Sequence, residues 1–322
     1  MKKSKDDITQ QINEALGKKV AFYGSEKKDE RVEALPTGIL ALDLATGIGG
    51  LPKGRIVEIY GQPSSGKSTL CLGMIASNQK KGVKCAYIDA EYALDLDYAA
   101  EMGVNVDDLI IIQPDSGEEA FEAIEKLVRE ESTGIIVVDS VSALTPRAEI
   151  EADTGRPTMG GQARLVAQGL RKIVPPLSKT GTILFFINQL RMNIMGGQYD
   201  PFITSGGMSL KFYASVRMEI KKKNMIKIGE TIAGYETEIK IVKNKVGKPL
   251  EVAKTSIMLG EGFSPEWDLI NIALEKDVIK KQGNTYSFNE EKVGVGINKT
   301  REALKNDSSL FERILVAVQS QL

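Results

Sequence analysis

Histidine is absent from all 322 residues. That absence removes imidazole acid–base catalysis, Ser-His-Asp nucleophile activation and His-ligated zinc, so any chemistry must run on carboxylates, lysines and a hard metal ion. Cysteine is scarce too. Cys71 and Cys85 both lie in apolar stretches without metal-ligand or redox spacing, so buried thiols and no disulfide framework are expected. No apolar run approaches the roughly 20 residues needed to span a bilayer, and the opening Met1-Lys2-Lys3-Ser4-Lys5-Asp6-Asp7 lacks the apolar core of a secretory signal. The expectation is a cytoplasmic protein with no membrane contact.

Net charge is nearly absent as well, at −1, and by itself argues against nucleic acid. The average conceals a segment. Residues 156–223 carry eleven Lys/Arg against Asp200 and Glu219, a net of +9, which leaves −10 for the rest. A local basic surface on an acidic body suits a polyanion. With 42% hydrophobic residues the chain can bury a full-sized core, one large domain with small satellites.

Near the start, Ile8, Ile12 and Leu16 recur at helical spacing and Gly17 closes the stretch. A helix this short does not stand alone in water, and the polar run 24–31 separates it from the main body of the chain, so it is expected to pack on something else, a neighbouring subunit included. From Arg55 onward, apolar strands alternate with amphipathic helices: Ile56–Tyr60, Cys85–Ile88, Ile135–Val138 and Ile183–Ile187. Each reads as a strand buried on both faces of a parallel sheet, and each runs into a polar terminus: Gly61, Asp89, Asp139 and Asn188. Ligands of open α/β sheets sit beyond the carboxyl ends of the strands, so these termini are expected to converge on one crevice. Thr237–Val242 and Ala253–Leu259 read as further strands, 268–275 as a helix, 285–296 as a hairpin, and 300–322 as helix interrupted at Asn306-Asp307. The predicted division is an N-terminal helix and arm (1–33), an α/β core with a mostly parallel sheet (34–269) and a small α+β C-terminal domain (270–322).

Gly61-Gln62-Pro63-Ser64-Ser65-Gly66-Lys67-Ser68 fits G-x-x-x-x-G-K-S between a strand and a helix beginning near Ser68-Thr69. In that context it is a P-loop: backbone N–H groups cradle phosphates at a helix N-terminus, Lys67 reaches the β and γ phosphates, and Ser68 ligates Mg²⁺. Asp139 ends an apolar strand in the manner of the second phosphate-site motif, where a carboxylate holds Mg²⁺ through its water shell. Thr69 and Ser140 adjoin these motifs and complete the candidate nucleotide-binding set. Glu91, just past a strand end, is a candidate general base for the attacking water, and Gln189 a candidate amide contact to the γ-phosphate. Two Gly- and Pro-containing loops, 151–161 and 190–204, carry Met159, Gly160, Arg191, Met192, Ile194 and Tyr199. Basic loops with apolar wedges suit single-stranded nucleic acid.

These residues resemble the bacterial RecA recombinase family. The resemblance is carried by the P-loop, Tyr87-Ile88-Asp89-Ala90-Glu91, Ile135 to Pro146, Phe186-Ile187-Asn188-Gln189-Leu190-Arg191, Gly206 to Arg217 and Val242-Lys243-Asn244-Lys245. It implies an ATP- and Mg²⁺-dependent recombinase that forms homo-oligomeric helical filaments on single-stranded DNA, pairs it with homologous duplex DNA, and in many relatives prompts a repressor to cleave itself in the SOS response. It further implies Glu91 as catalytic carboxylate, Gln189 as γ-phosphate sensor, and Asp95 and Tyr98 as adenine contacts. The DNA loops are flanked by Arg164, Arg171, Gly206, Gly207 and Lys211, and Phe212 resembles a subunit contact. No arginine adjoins the phosphate motifs, and Lys243 and Lys245 are two apart at a strand end; the family's matching lysines complete a neighbour's ATP site. There are two departures from the family pattern. Gln198 stands where an aromatic is common, with Tyr199 beside it, and the chain ends at Leu322 without the acidic tail many relatives use to restrain duplex binding. Two further readings share the P-loop sheet: a replicative helicase motor, and a mediator or clock-type ATPase that uses nucleotide to assemble.

Overall fold

A computed structural model describes residues 6–27, 32–153, 160–192 and 202–321. The chain divides into two compact units, 1–33 and 34–322. In the first, α1 (Asp6–Leu16) leaves Ile8, Ile12 and Leu16 exposed. Asn13 folds the following chain back: its Oδ1 accepts from the amides of Val20 and Ala21 at 2.7 and 2.8 Å, and its Nδ2 donates to the Ala21 carbonyl at 2.8 Å.

In the second unit β1 (Ala34–Leu35) and β2 (Leu51–Pro52) pair around α2 (Leu40–Thr46). Then β3 (Ile56–Gly61) leads through the P-loop into α3 (Lys67–Gln79). β4 (Cys85–Asp89), α4 (Leu96–Glu101), β5 (Leu109–Ile112), α5 (Gly117–Arg129) and β6 (Ile135–Asp139) come after it. Next are α6 (Arg147–Ile150), α7 (Gly161–Thr180), β7 (Ile183–Met192), β8 (Phe202–Thr204) and α8 (Gly207–Tyr213). A long antiparallel hairpin, β9 (Val216–Ile228) and β10 (Thr231–Asn244), is extended by β11 (Val252–Met258) and β12 (Gly262–Phe263).

The sheet order is β5-β4-β6-β7-β3-β9-β10-β11-β12, with β8 beside β7; pairings from β5 through β9 are parallel and those beyond antiparallel. β4 (Cys-Ala-Tyr-Ile-Asp) is buried throughout and β6 is a buried Ile/Val run, as strands covered on both faces must be. One core lies on the α3 face around Leu70, Ile75, Tyr87 and Phe185; the other lies under α5 and α7 around Phe121, Ile124, Val166 and Phe186. α5 is capped by Ser116, whose Oγ accepts from the Glu119 amide, while the Glu119 carboxylate accepts from the amide of Asp115, one residue before the cap. α5 and α7 meet closely at Gly169, where a Cβ would fall 2.2 Å from the Phe121 ring.

The C-terminal part comprises α9 (Pro265–Glu275), a meander of β13 (Ile279–Gln282), β14 (Thr285–Phe288) and β15 (Glu291–Val295), then α10 (Ile297–Asn306) and α11 (Ser308–Gln319). Position 269/270 falls inside α9, which runs unbroken from its Ser264 cap. Leu40, Ala41 and Leu44 of α2 pack into the core formed by Leu269, Ile270, Tyr286, Phe288 and Ile314, so α2 ties this part to the sheet unit.

Candidate functional site

The strand-to-helix turn of the P-loop ends at Gly66, the N-cap of α3, at φ 96°. That conformation demands glycine; a Cβ there would also lie 2.3 Å from Ile257 Cδ1, the far end of a side chain that would have to turn away. Lys67 is buried, and its Nζ donates to the carbonyls of Gly61 (3.3 Å) and Gln62 (2.9 Å). Burial pulls its pKa below the ordinary lysine value, with Asp139 and Glu91 opposing that shift. The Ser65 hydroxyl is buried without a partner. Ser68 Oγ donates to Asp139 Oδ2 at 3.0 Å, and the Tyr87 hydroxyl donates to the same oxygen at 2.6 Å. Burial raises the Asp139 pKa while these two donors oppose the rise. Among the described residues no three carboxylates or thiols gather into an all-protein metal cage. A helix N-terminus, an orphan hydroxyl, an ammonium held only by carbonyls and a hydroxyl–carboxylate pair fit a polyphosphate with a hard cation that shares its shell with phosphate.

Beside the loop lies a cavity of about 310 Å³ lined by Ser64, Gly66, Thr69, Tyr98, Tyr235 and Leu259. Thr69 Oγ1 and the Tyr98 hydroxyl are 2.9 Å apart, and Asp95 caps α4 by accepting from the Tyr98 amide. Gln62 and Pro63 instead line a groove of about 350 Å³ with Leu190, Phe202 and the lysines 221–223.

Glu91 is met by Gln189, 98 positions away, and by Ser140, 49 positions away. Its Oε1 accepts from Gln189 Nε2 at 2.8 Å and from Ser140 Oγ at 2.5 Å. No local pattern signals the Ser140 contact; it exists because β4 and β6 are parallel neighbours with Asp89 opposite Asp139. Of the four polar strand ends expected to line one crevice, Gly61 and Asp139 do so. Asp89 instead anchors the following turn, accepting from the amides of Ala93 and Leu94 and from Gln113 Nε2, and Asn188 clamps the second loop.

That clamp begins where Leu190, Arg191 and Met192 pair with Thr204, Ile203 and Phe202. Beneath the ladder, Asn188 donates to the Ser205 carbonyl (2.9 Å) and accepts from the Ser205 amide (3.2 Å). Arg191 and Met192 stand exposed at the outer end, while Met159, Ile194 and Tyr199 lie outside the described residues. Gly160 caps α7 and Gly206 caps α8, whose first residue is Gly207. Arg164 and Arg171 are exposed on α7, although Arg171 Nε already donates to the Ala167 carbonyl at 3.1 Å; Lys211 is half-buried on α8. Much of the remaining basic segment is neutralised locally. Arg217 pairs with Glu58, Lys221 with Glu219 and Lys223 with Glu238, and Lys222 Nζ lies 3.1 Å from the Tyr235 ring centroid.

Lys243 and Lys245 do converge, at the C-terminal end of α8. Lys243 Nζ donates to the carbonyls of Lys211 (2.6 Å) and Phe212 (3.0 Å), and Lys245 Nζ to that of Phe212 (3.0 Å). Helix C-termini attract cations. Phe212 itself is 67% exposed.

Residues 3–264 match the family model of the RecA N-terminal domain, and residues 267–322 that of the RecA C-terminal domain. Among curated proteins, the chain is 50% identical over 307 residues to "Protein RecA" of Xanthomonas axonopodis pv. citri, covering 94% of this chain and 89% of that protein. To "Protein RecA" of Syntrophus aciditrophicus it is 46% identical over 320 residues, covering 99% and 93%. Among solved structures, the RadB recombinase superposes with a TM-score of 0.55 at 22% identity, covering 71% of this chain and 98% of that one, a likeness of fold.

Proposed function

The chain belongs to the RecA family of DNA recombinases, and from that premise we propose how its own residues divide the work of DNA-dependent ATP hydrolysis and strand exchange. Family membership sets aside the helicase and mediator readings. The division of labour rests on one observation above all: Glu91 Oε1 gathers Gln189 and Ser140, and Gln189 is the residue next to the clamp of the second loop.

In this reading the P-loop residues 61–68, with Thr69 and Ser140, hold the phosphates of ATP, Asp95 and Tyr98 border the base, and Ser68 and Asp139 hold Mg²⁺. The cation supplies charge neutralisation at the phosphates. Lys67 exchanges its carbonyl partners for phosphate oxygens. Glu91 keeps Oε1 for its two donors and uses Oε2 to orient and deprotonate the attacking water, a general-base role. A phosphate oxygen competes for the Gln189 amide, so nucleotide state reaches Asn188 and the loop it closes. Lys243 and Lys245 leave the α8 carbonyls to serve a neighbouring subunit's site, a cation supplied in trans. DNA is taken by the loops at 151–161 and 190–204, with Arg164, Arg171, Arg191, Met192, Gly206, Gly207 and Lys211 and the undescribed Met159, Ile194 and Tyr199.

The wider picture is a cytoplasmic homo-oligomeric filament on single-stranded DNA, engaging homologous duplex and, where one exists, a self-cleaving repressor. Residues 1–33 act as the oligomerisation arm, 34–269 as the ATPase core and 270–322 as the small C-terminal domain. Among the described residues no helix is long and apolar enough to cross a membrane. A strand-exchange reaction with ATP and Mg²⁺ tests the reading: joint molecules should form with homologous duplex and not with heterologous duplex. Equal yields from both, or none from either, would overturn it.

A further inference from the structure

Glu58 takes no part in the roles above, yet it is fully buried at the centre of β3, a charge enclosed in the middle of the sheet. An enclosed carboxylate persists only when both oxygens are satisfied. On one side Oε1 accepts from Asn188 Nδ2 at 2.9 Å; on the other Oε2 accepts from Arg217 Nε at 2.5 Å. β3 lies between β7 and β9, so the two partners come from opposite flanks.

Each partner leads to a different functional element. Asn188 uses its whole side-chain amide: Nδ2 serves Glu58 and the Ser205 carbonyl, while Oδ1 accepts from the amides of Ser205 and Gln189. Glu58 can only accept, so it dictates which way that amide faces, and the amide holds both Gln189 and the far side of the loop neck. Arg217 lies 5.0 Å from the Tyr60 ring centroid and directly across the β9–β10 ladder from Lys243. Lys243 is desolvated and sits near the positive charges of Lys245 and Arg217, which Glu58 offsets.

We propose that Glu58 is a positioning residue coupling Gln189 and the neck of the second loop to the Lys243–Lys245 pair, so that DNA seating and completion of a neighbour's ATP site answer to one buried carboxylate. The inference rests on the roles given above to Gln189 and the two lysines. Glu58→Gln retains shape and leaves Arg217 without its counter-charge. Hydrolysis without DNA and the KM for ATP should stay unchanged, while kcat with single-stranded DNA should fall roughly 2- to 30-fold, the range of coupling that mutations along such networks carry.

Because one unpaired buried charge also costs stability, the companion variant is Glu58→Gln/Arg217→Met, which removes both charges. Its melting temperature should recover towards the parent while DNA stimulation stays low. Stimulation that recovers together with the melting temperature would mean the pair serves folding alone, and overturns the proposal. So does full stimulation in Glu58→Gln, or loss of DNA-free hydrolysis in both variants. A parent chain with no DNA stimulation strikes the functional reading and the coupling falls with it; a stimulated parent with an equally stimulated Glu58→Gln strikes the coupling alone.

Discussion

Asp43, half-buried, and Asp268, buried, lie near the seam of α2 and α9: Asp43 accepts from the amide and hydroxyl of Thr37, and Asp268 from the Ala41 amide. Burial pushes Asp43 up to about 6 and Asp268 up to about 7, in each case from an ordinary 3.8. Both folded-state values are raised, so the folded chain holds protons that the unfolded chain releases. The stability they contribute is complete below pH 3.8 and is lost as pH rises through 6 to 7. Melting temperature should therefore decline as pH rises from about 4 to about 7 and level off above, and Asp268→Asn should flatten that decline. Thermal unfolding across the range checks it; an unchanged slope in the variant would locate the titration elsewhere. Glu91 is placed for chemistry rather than stability. Glu91→Gln keeps an oxygen for Gln189 and Ser140 but cannot take a proton, so ATP and DNA binding should persist while DNA-stimulated kcat falls on the order of 10²- to 10⁴-fold. Normal turnover in this variant would place the base on another residue.

Elements show where two opposing magnitudes compete. Alanine in a helix interior is intrinsically better than glycine by about 1 kcal/mol, which alone would make Gly169→Ala stabilising. Against that stands the Phe121 ring at 2.2 Å from the new Cβ, in the packed seam of α5 and α7. Overpacking of this kind costs about 1–3 kcal/mol, so the variant should lower the melting temperature; a rise would show that the seam gives way freely. The same scale explains what is legible in the sequence. The four parallel strands are, because each is a short apolar run buried on both faces. β5 is not, since a four-residue apolar run is too short to tell from a piece of buried helix, and neither is β9, whose Lys221–Asn224 stretch reads as a charged loop until β10 pairs with it. In the site, the P-loop and Asp139 announce themselves locally. The Glu91–Gln189–Ser140 contact and the Glu58 network depend on strand adjacency across 49 to 159 residues, which no local pattern encodes.

At the scale of the whole molecule, the reading of Lys243 and Lys245 makes the ATP site a property of two subunits. Lys67→Ala damages the phosphate face, and Lys245→Ala damages the face offered to a neighbour. Each alone should hydrolyse poorly. Mixed together, they should regain part of the activity, because some contacts then join an intact Lys67 face to an intact Lys245 face. Mixed filaments verified by microscopy that remain inactive would mean both lysines act within their own chain.

The central place of β3 also sets a timetable for assembly. β3 is complete at Gly61, yet its partners β7 and β9 begin only at Ile183 and Val216. At roughly 5–20 residues per second of synthesis, the strand waits on the order of ten seconds for its first neighbour. Throughout that interval Glu58 has neither Asn188 nor Arg217, and the apolar flanks of β3 have no sheet to enter. A nascent chain halted before Ile183 is thus a chaperone's concern, and the nucleotide-binding strand enters the sheet only after β4, β5 and β6, all made later, are able to pair with one another.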